Sequence, residues 1–119
     1  MITAEQARTF AQEWIESWNA HDLDRILSHY TDGFEMSSPY IVERGFDPSG
    51  TLRGKQAVAN YWKPALAPER QLHFELIDVL TGASSVTINY WSIGRRLASE
   101  VLFFDQAGKI YRAAAHYRD

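Results

Sequence analysis

The hydrophobic pattern of this chain changes period once. In three segments before residue 63 apolar residues recur at three- and four-residue spacing, and from Leu72 onwards the segments are strand-like, with a period of two. Helical periodicity followed by a run of strand-like segments points to an α+β domain, with the helices packed on one face of a curved antiparallel sheet. In the helical half, Thr3 followed by Gln6 fits a capping box, after which Ala7, Phe10, Ala11, Trp14, Ile15 and Trp18 share a face. After Asn19-Ala20-His21, Asp22 can cap a short second helix with Leu23, Ile26, Leu27 and Tyr30 as its buried stripe. Phe34 to Ser38 reads as extended and ends at Pro39. The next segment, Tyr40 to Arg53, holds Gly45, Pro48 and Gly50, and is expected to be a mobile loop of the kind that often covers a site. Gly54 opens a third helix in which Ala57, Val58, Tyr61 and Trp62 share a face, and Pro64 disfavours helical geometry at Lys63. Four strands follow, Leu72–Leu80, Val86–Ile93, Ala98–Phe104 and Ile110–Tyr117, expected to pair as antiparallel neighbours.

Bulk properties narrow the function classes. A chain of 119 residues is expected to form one domain spanning residues 1–119, with a sizeable core. A formal charge of −3 gives no electrostatic reason to expect nucleic acid, which needs clustered Lys and Arg. The absence of cysteine removes disulfides, thiolate nucleophiles and Cys-ligated zinc. Residues Met1 to Gln6 have neither a basic n-region nor an apolar h-region, and no apolar run approaches the ~20 residues of a membrane span, so a soluble, cytoplasmic protein is expected. The four histidines, His21, His29, His73 and His116, lie in four different elements without metal-ligand spacing, so no metal is expected. In Val101-Leu102-Phe103-Phe104 neither parity is polar. Both faces of that strand should therefore be covered, one by helices and one by a partner subunit, which predicts a homodimer.

Several segments together resemble a known family, the nuclear transport factor 2-like (NTF2-like) or SnoaL-like cone-shaped fold. They are the Trp-Asn-Ala-His-Asp-Leu-Asp turn, the Tyr30-Thr31-Asp32-Gly33-Phe34 exit from helix two, Leu52-Arg53-Gly54-Lys55, and Phe104-Asp105-Gln106-Ala107-Gly108-Lys109-Ile110. The resemblance covers nearly the whole chain and implies an apolar cavity between helices and sheet. It does not select one activity, because the superfamily includes isomerases, cyclases, dehydratases, epoxide hydrolases and binding or dimerisation modules without turnover.

Ketosteroid isomerases are the members whose order of elements lets roles be carried over position by position. Their base carboxylate, placed just before a proline, corresponds to Ser38 before Pro39. General-base catalysis is worth ~10²–10⁴-fold, so steroid isomerisation by the family mechanism is disfavoured here. Their oxyanion-donating tyrosine corresponds to Trp14. Their protonated carboxyl donor corresponds to Glu100, at the start of an otherwise apolar strand. Desolvation there would raise its pKa and let it donate a proton or hydrogen bond at neutral pH; the bland alternative is a rim glutamate paired with Arg95, Arg96 or Arg112.

The resemblance also implies that Ala113, Ala115 and Tyr117 face the cavity. His116 then has the opposite parity, which leaves His73 as the candidate base to accompany Glu100, although Leu72, Phe74 and Leu76 compete with it for the inward direction. Asp22 and Asp24 are explained by the start of a helix. His21 reads as a solvated or capping residue, and His29 as lying on the outer face of helix two. The expected site is thus a wall of Trp14, Trp18, Met36, Tyr61, Trp62, Tyr90, Leu102 and Tyr117, with Ser38, His73 and Glu100 as polar contacts. It would bind a small, largely apolar organic molecule and use no cofactor. If it is catalytic, cofactor-free isomerase or cyclase chemistry on a carbonyl compound is implied, with Glu100 as donor and His73 as base. The alternative is a non-catalytic binding or dimerisation module.

Overall fold

The computed structural model describes the whole chain, Met1–Asp119. Helix α1, Ala4–Asn19, begins at the predicted capping box, in which the Thr3 hydroxyl accepts from Gln6 N and the Gln6 side chain accepts from Thr3 N. Ala7, Ala11, Trp14, Ile15 and Trp18 form its buried stripe. The short α2, Leu23–Leu27, is capped by Asp22, whose carboxylate accepts from Arg25 N at 3.1 Å.

Strand β1, Tyr30–Ser37, starts four residues earlier than predicted. The segment after it is more ordered than a loop: it contains α3, Pro39–Glu43, and β2, Thr51–Arg53. Ser38 caps α3, and its backbone N–H donates to Gly50 O at 3.0 Å, closing the segment on itself. Gly54 then leads into α4, Lys55–Trp62, at φ +90°, a conformation that side-chain-bearing residues rarely adopt. Two single turns of tighter helix, Lys63–Leu66 and Pro68–Arg70, carry the chain to the sheet.

The remaining strands are β3, Glu75–Thr81, β4, Ser85–Trp91, β5, Leu97–Phe104, and β6, Ile110–Tyr117. They form a curved, open six-stranded sheet in the order β2-β1-β6-β5-β4-β3. The last four strands pair antiparallel as expected, whereas β1 and β6 are parallel. A parallel pair needs a long connection, and here residues 38–109 lie between the two strands. Register shifts within the β1–β6, β3–β4 and β5–β6 pairs mark where strands bend.

Strand β3 begins at Glu75 rather than Leu72, because the end of α1 holds the preceding residues. The Asn19 amide donates to Phe74 O at 2.9 Å and accepts from Phe74 N at 2.6 Å, while His21 Nε2 donates to Leu72 O at 2.7 Å. Leu72 and Phe74 are thereby turned into the core and His73 outward.

The inner face of the sheet presents Val86, Ile88 and Tyr90 from β4, Ala98, Glu100 and Leu102 from β5, and Ala113 and Ala115 from β6, all buried. Glu100, at 3% exposure, is the one charged residue type in this core. On the opposite face Trp91, Val101 and Phe103 are half-buried, with the Arg95 guanidinium 5.0 Å from the Trp91 ring centroid and that of Arg112 5.3 Å from Phe103.

Candidate functional site

Helix α1 and α4 lie over the inner face of the sheet and enclose a cavity of about 160 Å³. Aromatic contacts build its walls. Trp14 stacks on Phe74 and meets Tyr90 edge-on with centroids 5.2 Å apart, and Trp18 meets Trp62 edge-on at 5.0 Å. Offset and edge-to-face pairs of this kind add about 0.5–1.5 kcal/mol each beyond the area they bury, so the walls are firm.

The sequence-derived residues divide as follows. Trp14, Trp18, Met36, Tyr61, Trp62, Tyr90, Glu100 and Tyr117 line the cavity. Leu102 does not: it lies two residues beyond Glu100 on the same face, fully buried where the core is filled by side chains. Ser38 is also absent from the lining. Its hydroxyl accepts from Tyr40 N and from the Tyr61 hydroxyl, each at 3.2 Å, so it is committed to capping α3. Ala113 and Ala115 are buried in the sheet without lining the cavity.

His73 is exposed and faces away from Glu100, and the acid-base pair expected from the sequence is not formed. Its strand parity was ambiguous, and the clamp from Asn19 and His21 decides it. His21, read as solvated or capping, is instead partly buried and bound to Leu72 O, while His29 lies just beyond the end of α2, half-buried, with Nε2 3.2 Å from Glu13 Oε2, and Arg25 completes this cluster. His116 is exposed. No three His, Asp or Glu side chains converge as a potential metal site.

Electrostatics at the base of the cavity centre on Glu100. Burial pushes its carboxyl up to about 8, with the hydrogen bond from the Tyr90 hydroxyl, 3.4 Å from Oε1, opposing the shift. At neutral pH the group is therefore protonated. Oε1 accepts from Tyr90, and Oε2 makes no hydrogen bond within the protein. Burial likewise raises the phenols of Tyr30, Tyr90 and Tyr117, with the Glu100 carboxylate adding to the effect once it ionises, so all three remain neutral.

The two tryptophans of α1 differ in one respect. Trp14 Nε1 donates to the Tyr30 hydroxyl at 3.1 Å, whereas Trp18 Nε1 is buried with no partner in the protein. A buried donor left unsatisfied costs about 1–3 kcal/mol.

Sequence reasoning missed Tyr40, Arg44, Ala65, Arg70, Leu72, Phe74, Ser92 and Ile93, which also line the cavity. The first two come from the Tyr40–Arg53 segment anticipated as a site cover. Arg70 carried no signal of its own. A larger, more open groove of about 870 Å³ lies between the start of α1 and the tips of the β3–β4 and β5–β6 hairpins. Asp105 is the one ionisable side chain in its lining, so it lacks the converging polar groups of a reactive site.

Comparison with known proteins agrees with this architecture. Residues 11–118 match the SnoaL-like domain family. A SnoaL-like protein of unknown function from Burkholderia thailandensis E264 is 52% identical, with a TM-score of 0.95 over 99% of this chain and 98% of that one. At 18% identity, the epoxide hydrolase/cyclase-like enzyme SalBIII, which has a role in pyran ring formation in the polyether salinomycin, gives a TM-score of 0.77 over 99% of this chain and 95% of its own. A putative ketosteroid isomerase from Kribbella flavida DSM 17836 gives 0.69 at 13% identity, over 98% of this chain and 80% of its own. These two distant likenesses concern the fold alone. No functionally curated protein matches the sequence.

Proposed function

Because the chain belongs to the SnoaL-like family, we propose that its cavity binds a small, largely apolar organic molecule whose carbonyl oxygen accepts a hydrogen bond from the protonated Glu100. The observation that carries this reading is the placement of one neutral carboxyl, with Oε2 unengaged, among aromatic walls. Size supports it as well. An apolar cavity of about 150 Å³ accommodates benzene, so about 160 Å³ suits a body of one ring and excludes a fused four-ring ligand.

The chemistry this arrangement supports is proton or hydrogen-bond donation to a carbonyl, without a cofactor. Isomerisation needing a side-chain base as well is disfavoured, since Glu100 is the one carboxyl in the lining and no histidine joins it. That lack favours, as a second reading, a binding module without turnover. Location in the cytoplasm belongs to the same proposal, and no helix is long and apolar enough to cross a membrane.

The test uses acetophenone, read by quenching of the cavity tryptophans. Wild-type affinity is expected to fall as pH rises through about 8 and Glu100 ionises. Glu100→Gln, which keeps a donor, should retain binding and lose that pH dependence. Glu100→Leu should bind about fivefold more weakly, the worth of one buried hydrogen bond. Equal affinity in wild type and Glu100→Leu, with no pH dependence in either, would overturn the reading.

A further inference from the structure

The mouth of the cavity differs in character from its base. Among the lining residues Arg44, Arg70 and Ile93 are the exposed ones, and they mark where the cavity opens to solvent. Arg44 is the C-cap of α3, and Arg70 ends the turn Pro68–Arg70, so two segments distant in sequence each contribute an exposed arginine to the lining of one cavity. Neither arginine forms a salt bridge or a side-chain hydrogen bond, a state shared with Arg8, Arg112 and Arg118, none of which lines the cavity; Arg25, Arg53, Arg95 and Arg96 have carboxylate partners. The adjacent Glu43 and Glu69 line no part of the cavity.

The Arg44 guanidinium lies 4.6 Å from the Tyr40 ring centroid and 5.9 Å from that of Tyr61. Stacking of this kind holds the planar group while leaving its edge donors available for a bidentate anion. The nearby Arg96 is already engaged by the Tyr40 hydroxyl and by Asp119 at 3.0 Å, so it is not a third member of the pair.

We propose that the ligand is an organic acid: its ring-sized apolar body fills the cavity and its carboxylate is held at the mouth by Arg44 and Arg70. This rests on the cavity-binding reading above and adds the charge and orientation of the molecule. The charge stays at the exposed rim, so it is not desolvated, and only the apolar body enters. At the inner end Glu100 Oε2 is unengaged and can donate its proton to an acceptor. A keto or otherwise oxygenated acid satisfies both ends at once.

The test compares phenylacetate with its neutral isostere phenylacetamide, by tryptophan quenching at pH 7, in wild type and in an Arg44→Gln/Arg70→Gln double variant. Phenylacetate should bind wild type roughly tenfold more tightly than the amide, the sum of two exposed ion pairs. High salt should erode that advantage. In the double variant the advantage of the acid over the amide should disappear, while an unchanged far-ultraviolet circular dichroism spectrum and urea midpoint show that the variant is folded. If the acid has no advantage in wild type, or keeps it in the double variant, the acid inference fails while amide binding leaves the cavity reading standing. If neither probe binds wild type, the cavity reading fails and the inference falls with it.

Discussion

Glu100 sits where an apolar residue would be more stable. Flanked on the inner face of β5 by Ala98 and Leu102 and paired across to Ile88 and Ala115, it is surrounded by side chains that offer one hydrogen bond, from Tyr90. The consequence for stability has a definite sign. The carboxyl moves from an ordinary 4.5 to about 8 on folding, so the folded state holds a proton that the unfolded state has released between those values. The protonated group's contribution is complete below about 4.5, and stability falls as pH rises towards about 8, by up to about tenfold in the folding constant per pH unit. Tyr30, Tyr90 and Tyr117, which face it, stay neutral across this range and do not alter the sign. Urea unfolding between pH 5 and 8 should therefore show a declining midpoint for wild type and a flatter one for Glu100→Gln. Parallel pH profiles for the two proteins would contradict the assignment. The sequence makes Glu100 visible as a lone acid in an apolar strand, but its two outcomes, buried donor or rim ion pair, are separated only by the side chains that surround it.

At the scale of elements, the turn between α1 and α2 does more than connect helices. Asn19 satisfies both backbone groups of Phe74, and His21 takes the carbonyl of Leu72, so one short turn orients the entry to β3. Asn19→Ala would leave the Phe74 N–H and C=O without partners in a partly buried position, at a cost of about 2 kcal/mol. The expected result is a lower urea midpoint together with weaker probe binding, because Leu72 and Phe74 are wall residues. A change below about 0.5 kcal/mol would mean that water replaces the clamp without loss. Periodicity located these elements well where one face is buried along their length, as in α1 and β6. It failed for residues 72–74, whose direction is imposed by partners more than fifty positions earlier, and for residues 39–53, where Ser38 capping and the Ser38–Gly50 hydrogen bond outweigh the turn-forming composition.

For the molecule as a whole, the helices cover one face of the sheet and leave the other to the surroundings. Trp91, Val101 and Phe103 are only half-buried there, and the expectation of a homodimer formed by this face carries over as a proposal. Sedimentation equilibrium should report a dimer for wild type and a monomer for Val101→Lys/Phe103→Lys. A wild-type monomer at micromolar concentration would refute it. The SnoaL-like α+β architecture was legible in the chain because it follows from local quantities: capping residues, hydrophobic period and turn chemistry, each readable over a few positions. The aromatic character of the cavity was legible for the same reason, since Trp14, Trp18 and Tyr90 lie on strongly apolar faces. Tertiary structure alone determined that Glu100 points inward, that His73 points out, and that Ser38 caps a helix. It also brought Arg44 and Arg70 to a common opening. Each of these depends on what distant segments place beside a side chain, and burial, hydrogen-bond partners and local electrostatics exist only after those segments have packed.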